Sequence, residues 1–167
     1  MRGTIAWLLS GLLLAGCGEN HPSEATLVRE FEANRSAFSE VANMAAEDTA
    51  FSRIAKDFTH PNWDLAESGQ VEALSEERWS QYREAFKQLG LESGVTIYDN
   101  DTIVLERSAS GLVTSGSSVG FMRTNQIPEV IDLIPSSAPL ECDMGREGWC
   151  HVAKHLDDNW YLVFEAH

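Results

Sequence analysis

The amino-acid sequence predicts an α+β domain, with two N-terminal helices packed on one face of an antiparallel sheet of about five strands. Apolar residues recur at three-and-four spacing before Gly90 and at period two after Gly94. Turn residues then cut the second half into short runs of strand-forming side chains. A helical pattern followed by a strand pattern argues segregated layers and not alternating βαβ units.

The first helix opens at Ser23, a capping side chain, with Glu24 in its first turn. Leu27, Phe31, Phe38, Val41 and Ala45 form one apolar stripe, broken by Asn34, over a helix of about 22 residues. Phe51, Ile54 and Phe58 fit a short helix or a strand equally well. The stretch 59–70 reads as a loop. Ser75-Glu76-Glu77 opens the second helix, Trp79, Tyr82, Phe86 and Leu89 share its inner face, and Gly90 stands where a C-terminal glycine belongs.

Val95–Tyr98 and Ile103–Glu106 flank Asp99-Asn100-Asp101 as a hairpin. A second hairpin is expected with Gly111–Thr114 and Val119–Met122 around a Ser115–Ser118 turn. Pro128 and Pro135 bracket a short segment holding Val130, Ile131 and Ile134. Trp149–Leu156 and Trp160–Phe164, joined at Asp157-Asp158-Asn159, complete the sheet.

Ahead of this domain the chain has a different character. Arg2 precedes the apolar run Ile5–Leu14, which at about ten residues has the size of a signal-peptide core and is too short to cross a bilayer. Leu14-Ala15-Gly16-Cys17 resembles the lipobox of bacterial lipoproteins. The resemblance implies cleavage after Gly16, a signal peptide over residues 1–16, and diacylation of Cys17, usually with a third chain such as palmitate on the new amine. The short polar stretch that follows makes 17–22 a lipidated tether, and by length 23–167 is a single α+β domain. Several acyl chains on one residue anchor stably where one does not. Gly18 stands where an inner-membrane retention signal usually has Asp. That favours the outer membrane of a Gram-negative cell.

Removal of residues 1–16 takes away one charged side chain, Arg2, and leaves 26 acidic and 11 basic ones, a net charge near −15. Such a surface repels nucleic acid, keeps the protein soluble and attracts cationic partners. Cys142 and Cys150 remain as an even pair in an oxidising compartment, and a structural disulfide closing the short loop between them is expected. Its worth is roughly 2–3 kcal/mol by loop entropy. Their spacing is not that of a zinc pair.

Arg78–Leu91, Ser110–Val113, Ser115–Phe121 and Asn159–Glu165 resemble a group of small bacterial lipoproteins of undetermined function. The resemblance implies the α+β arrangement and carries no catalytic residue.

Gly116-Ser117-Ser118-Val119-Gly120 satisfies G-x-S-x-G, and Ser118 precedes Asp132, Asp143, His151 and His155 in a permitted triad order. The motif needs a strand-to-helix turn, however, and Phe121-Met122-Arg123 reads as strand. Glycine and serine in a hairpin explain the same letters. His151 and His155 are four apart without the glutamate of H-E-x-x-H, so surface strand histidines are expected, with no metal and no cofactor. Trp79 and Trp160 have core periodicity, whereas Trp63 and Trp149 lie in or beside loops and are the candidate contact surface. The expected function is that of a membrane-anchored envelope lipoprotein whose acidic domain is a non-enzymatic protein-binding or structural module. Its partners are the membrane, through the lipid, and a cationic envelope protein. The alternative is a small serine hydrolase using Ser118 with His151 or His155.

Overall fold

Helix α1 (Glu24–Glu47) begins where Ser23 accepts a hydrogen bond from the Thr26 amide, and ends at Asp48. It buries Leu27, Phe31, Phe38, Val41, Ala42 and Ala45, the stripe that the sequence sets out. At Asn34 the backbone leaves helical geometry (φ −127°, ψ 20°) while the side-chain amide donates to the Glu30 carbonyl at 2.9 Å. The polar break in the stripe is therefore a kink.

The computed structural model describes residues 21–62, 73–98, 101–112, 115–141 and 148–167. Cys17, Trp63 and Cys142 lie outside the described residues.

After α1 come strands β1 (Phe51–Ile54) and β2 (Thr59–Pro61), then helix α2 (Glu76–Leu89). The sheet continues with β3 (Gly94–Tyr98), β4 (Thr102–Leu112), β5 (Ser115–Arg123), β6 (Asp132–Ile134), β7 (Cys150–Asp157) and β8 (Trp160–Ala166). Among the described residues the strands form one eight-stranded sheet in the order β2-β1-β3-β4-β5-β8-β7-β6. Every neighbouring pair is antiparallel except β6 with β7, which is parallel.

The α+β class holds, and the sheet is larger than the five strands expected. The additional strands are short. β1 has four residues and β2 and β6 three each, too few to display a period-two pattern. They draw their order from the neighbouring strand. A hairpin of β1 and β2 also separates the two helices, where the apolar residues around Phe51 and Ile54 left helix and strand open. The second expected turn is displaced. Ser115 to Ser118 belong to β5, with Leu112 paired to Ser115 and Gly111 to Gly116. The connection falls at residues 113–114, outside the described residues.

The helices and one sheet face share a core. Phe38 is fully buried, with its ring 4.4 Å from that of Phe121, while Phe31 lies 5.3 Å from Trp160. Tyr82, Phe86 and Leu89 of α2 join the same cluster, and Gly90 ends that helix at φ 66°. The two helices are tied at their ends. Arg78 donates to the Met44 carbonyl at 3.0 Å and to Asp48 at 2.8 Å, and Tyr82 donates to the same carboxylate at 2.6 Å. Arg78 thus adds a second donor to the Met44 carbonyl, which also accepts from the Asp48 amide at 3.2 Å, and brings a positive charge to the C-terminus of α1. Burial, together with the Asp48 carboxylate, raises the Tyr82 phenol far above its usual range, so it stays a donor. A buried Lys154 of β7 pairs with Glu24 and donates to the Ala138 carbonyl at 2.6 Å, which fastens the start of α1 to the other half of the sheet.

Phe38→Ala removes an aromatic ring from the centre of this cluster and is expected to lower unfolding free energy by about 3–5 kcal/mol. Glu40→Ala, on the exposed side of the same helix, should stay within about 0.5 kcal/mol of the parent. Urea unfolding compares the two; equal losses contradict the packing described.

Candidate functional site

Strand alternation gives the sheet two chemically different faces. On β4, Ile103 and Leu105 point into the helical core, whereas Val104 and Glu106 line a cavity. On β8, Trp160 and Leu162 join the core while Val163 and Glu165 line the cavity. The cavity of about 560 Å³ therefore sits on the face that the helices leave open, and the segment Gln126–Ile131 walls it. Its volume falls within the ~300–1,000 Å³ of small-ligand pockets. Val104, Met122 and Val163 make an apolar floor, and Tyr98, Glu106, Glu129, Glu165 and His151 supply the ionisable groups. No Lys or Arg is among the described lining residues.

Glu106 is the deepest of the carboxylates. It accepts from the Thr96 hydroxyl at 2.6 Å and from Arg53 at 2.7 Å. Burial pushes its pKa up from the ordinary value of 4.5, and the Glu165 charge adds to the rise; the Thr96 hydrogen bond and Arg53 oppose both.

Pairing between β5, β8 and β7 sets a row across the open face: Ser118 opposite Glu165, and Glu165 opposite His151. With strands about 4.8 Å apart, Ser118 and His151 are roughly 10 Å apart across the sheet. Ser118 and His151 flank Glu165, not each other. Ser118 lies in the middle of β5, with strand on both sides. The motif glycines have a reason in the sheet itself. A Cβ on Gly116 would sit 2.5 Å from the Ser110 carbonyl oxygen, and one on Gly120 2.5 Å from that of Leu105. The close approach of β4 to β5 therefore demands both glycines. β4 also carries a register shift between Glu106 and Ser108.

His151 does not pair with His155. The latter donates from Nε2 to the Asp158 carbonyl at 2.9 Å near the β7–β8 turn, and its ring lies 5.2 Å from Tyr161. His151 instead meets two residues that carry no local motif, Glu165 and His167. Nε2 of His151 is 3.4 Å from Oε1 of Glu165, and Nε2 of His167 contacts the same oxygen. The signal available in the sequence is the i, i+2 spacing of Glu165 and His167, which puts both on one face of a strand.

Trp149 is exposed, as expected of a contact residue, and its ring stands 5.4 Å from that of His151. Trp63 and Cys142 lie outside the described residues, and Cys150 opens β7. His21, which the sequence left without a role, docks against the sheet: its ring nitrogens lie 3.1 Å from the Ser108 hydroxyl and 2.7 Å from that of Ser117. Among the described residues no helix is long and apolar enough to cross a membrane.

The Glu106 pKa carries a definite sign. The folded state holds the proton to higher pH than the unfolded chain does, so unfolding takes place with proton release from this site. Its contribution favours the fold at low pH and is lost as pH rises from about 4.5 through the raised folded value. Relative to the parent, Glu106→Gln should gain stability progressively as pH rises across that window in urea titrations. A relative loss with rising pH contradicts the assignment.

Compared with family models, with curated proteins and with solved structures, the chain gives no match.

Proposed function

We propose that the chain is an envelope lipoprotein, anchored through Cys17, whose domain is a non-enzymatic module that binds a cationic segment of another envelope protein on its open sheet face. The observation that carries the reading is the cavity itself: an apolar floor ringed by Glu106, Glu129 and Glu165, with no Lys or Arg among its described lining residues. An apolar side chain fills such a floor while a neighbouring Lys or Arg meets the carboxylates. The charge of the whole chain, −14, steers the same class of partner toward it.

The anchor fits this arrangement. Cys17 and His21 are four residues apart, at most about 14 Å of extended chain. A lipid on Cys17 therefore holds the domain close to the membrane at the end of the sheet where His21 meets Ser108 and Ser117. A bridge between Cys142 and Cys150 would fasten the chain entering β7 at that same end.

A fluorescent peptide of alternating Lys and Leu, followed by anisotropy, tests the binding reading. Saturable binding is expected, weakened at least about tenfold between roughly 50 and 500 mM salt. Val163→Trp, which fills the cavity floor, should abolish it. A Glu-Leu peptide that binds equally well, or a Val163→Trp protein that folds and binds unchanged, contradicts the proposal.

A further inference from the structure

We infer that His151, Glu165 and His167 form a binding site for a zinc-class divalent cation at the edge of the open sheet face. The ligating atoms of the three side chains all lie within 4.8 Å of one another. Two imidazole nitrogens and one carboxylate oxygen are a donor set that suits zinc and its first-row neighbours. Zinc bond lengths near 2.0–2.1 Å put tetrahedral ligands roughly 3.3 Å apart. The separation of His151 Nε2 from Glu165 Oε1 is 3.4 Å, so this edge of the coordination shell is already set.

A second observation points to the same place. Nε2 of His151 is buried and has no hydrogen-bond partner among the described residues, although Glu165 stands beside it. A buried ring nitrogen without a partner is costly, and a cation bound there removes the cost. The carboxylate of Glu165 lies between the two imidazoles and contacts Nε2 of His167, so all three donor groups converge on one point.

The three residues are held by backbone. His151 and Glu165 are direct partners in the β7–β8 ladder. His167 continues the line past β8, its amide donating to the Gly116 carbonyl at 2.9 Å and its carbonyl accepting from the Gly116 amide at 3.2 Å. The ring planes of His151 and His167 stand nearly perpendicular, with centroids 5.5 Å apart. Little chain entropy remains to be lost on binding, which favours affinity. Three protein ligands leave a coordination position open, and His151 and Glu165 both line the cavity. The cation is thus available to a donor atom of whatever occupies that space.

Isothermal titration of zinc chloride into the full chain, purified without a histidine tag, tests the site. The expected result is one cation per chain with a Kd on the order of 10 μM or tighter. His151→Ala, Glu165→Gln and His167→Ala should each weaken it at least about tenfold, while His155→Ala leaves it unchanged. His167→Asn and His151→Gln serve where an alanine variant fails to fold by circular dichroism. Copper(II) should quench tryptophan emission at one equivalent in the parent and much less in Trp149→Phe. An absence of saturable zinc binding, or full binding by a folded His151→Gln/His167→Asn double variant, overturns the inference. Since no peptide is present, failure here leaves the cationic-peptide result to stand or fall by itself.

Discussion

The structure depends on one packed cluster: Phe31 and Phe38 of α1 against Phe121 of β5 and Trp160 of β8. Four aromatic rings from a helix and two adjacent strands pack with centroids 4.4–6.3 Å apart, and burial of such apolar surface is the dominant favourable term in folding. The cluster fixes which side of the sheet the helices cover. Because strand side chains alternate, it fixes by the same act which residues of β4, β5, β8 and β7 face outward. The cavity, the Ser118–Glu165–His151 row and the histidine pair are all consequences of that choice of face.

Polar contacts refine this arrangement. Lys154, pinned between Glu24 and the Ala138 carbonyl, and Arg78, spanning Met44, Glu47 and Asp48, close the edges where α1 begins and ends. Such pairs specify register more than they stabilise, because desolvation offsets much of their attraction. On the outer face Arg53 serves a different end. It donates to Glu106 at 2.7 Å and so holds a carboxylate in the cavity lining.

How much of this is visible in the sequence follows from the range of each interaction. The stripe from Leu27 to Ala45, the cap at Ser23, and the inner face of α2 are local patterns, and the helices match them within two residues. The strands around Asp99–Asp101 and around Asp157–Asn159 are equally local and equally visible. β1, β2 and β6 escape because three or four residues carry no periodicity of their own. The cluster of His151 with Glu165 and His167 escapes for a related reason. Its members are joined by strand register, not by spacing along the chain, so the nearer pair of His151 and His155 drew notice although four residues along one strand separate them by roughly 13 Å. G-x-S-x-G shows the converse: a visible motif whose glycines answer to the approach of two backbones.

The central claim is that the helix-free face is the working face. Photo-crosslinking in intact cells that make the chain addresses it, with a photoreactive residue placed at Val130, exposed on the cavity wall, or at Glu40, exposed on the outer side of α1. One dominant, salt-sensitive adduct to a basic protein is expected from position 130 and none from position 40. The same adduct from both positions, or from position 40 alone, would contradict it.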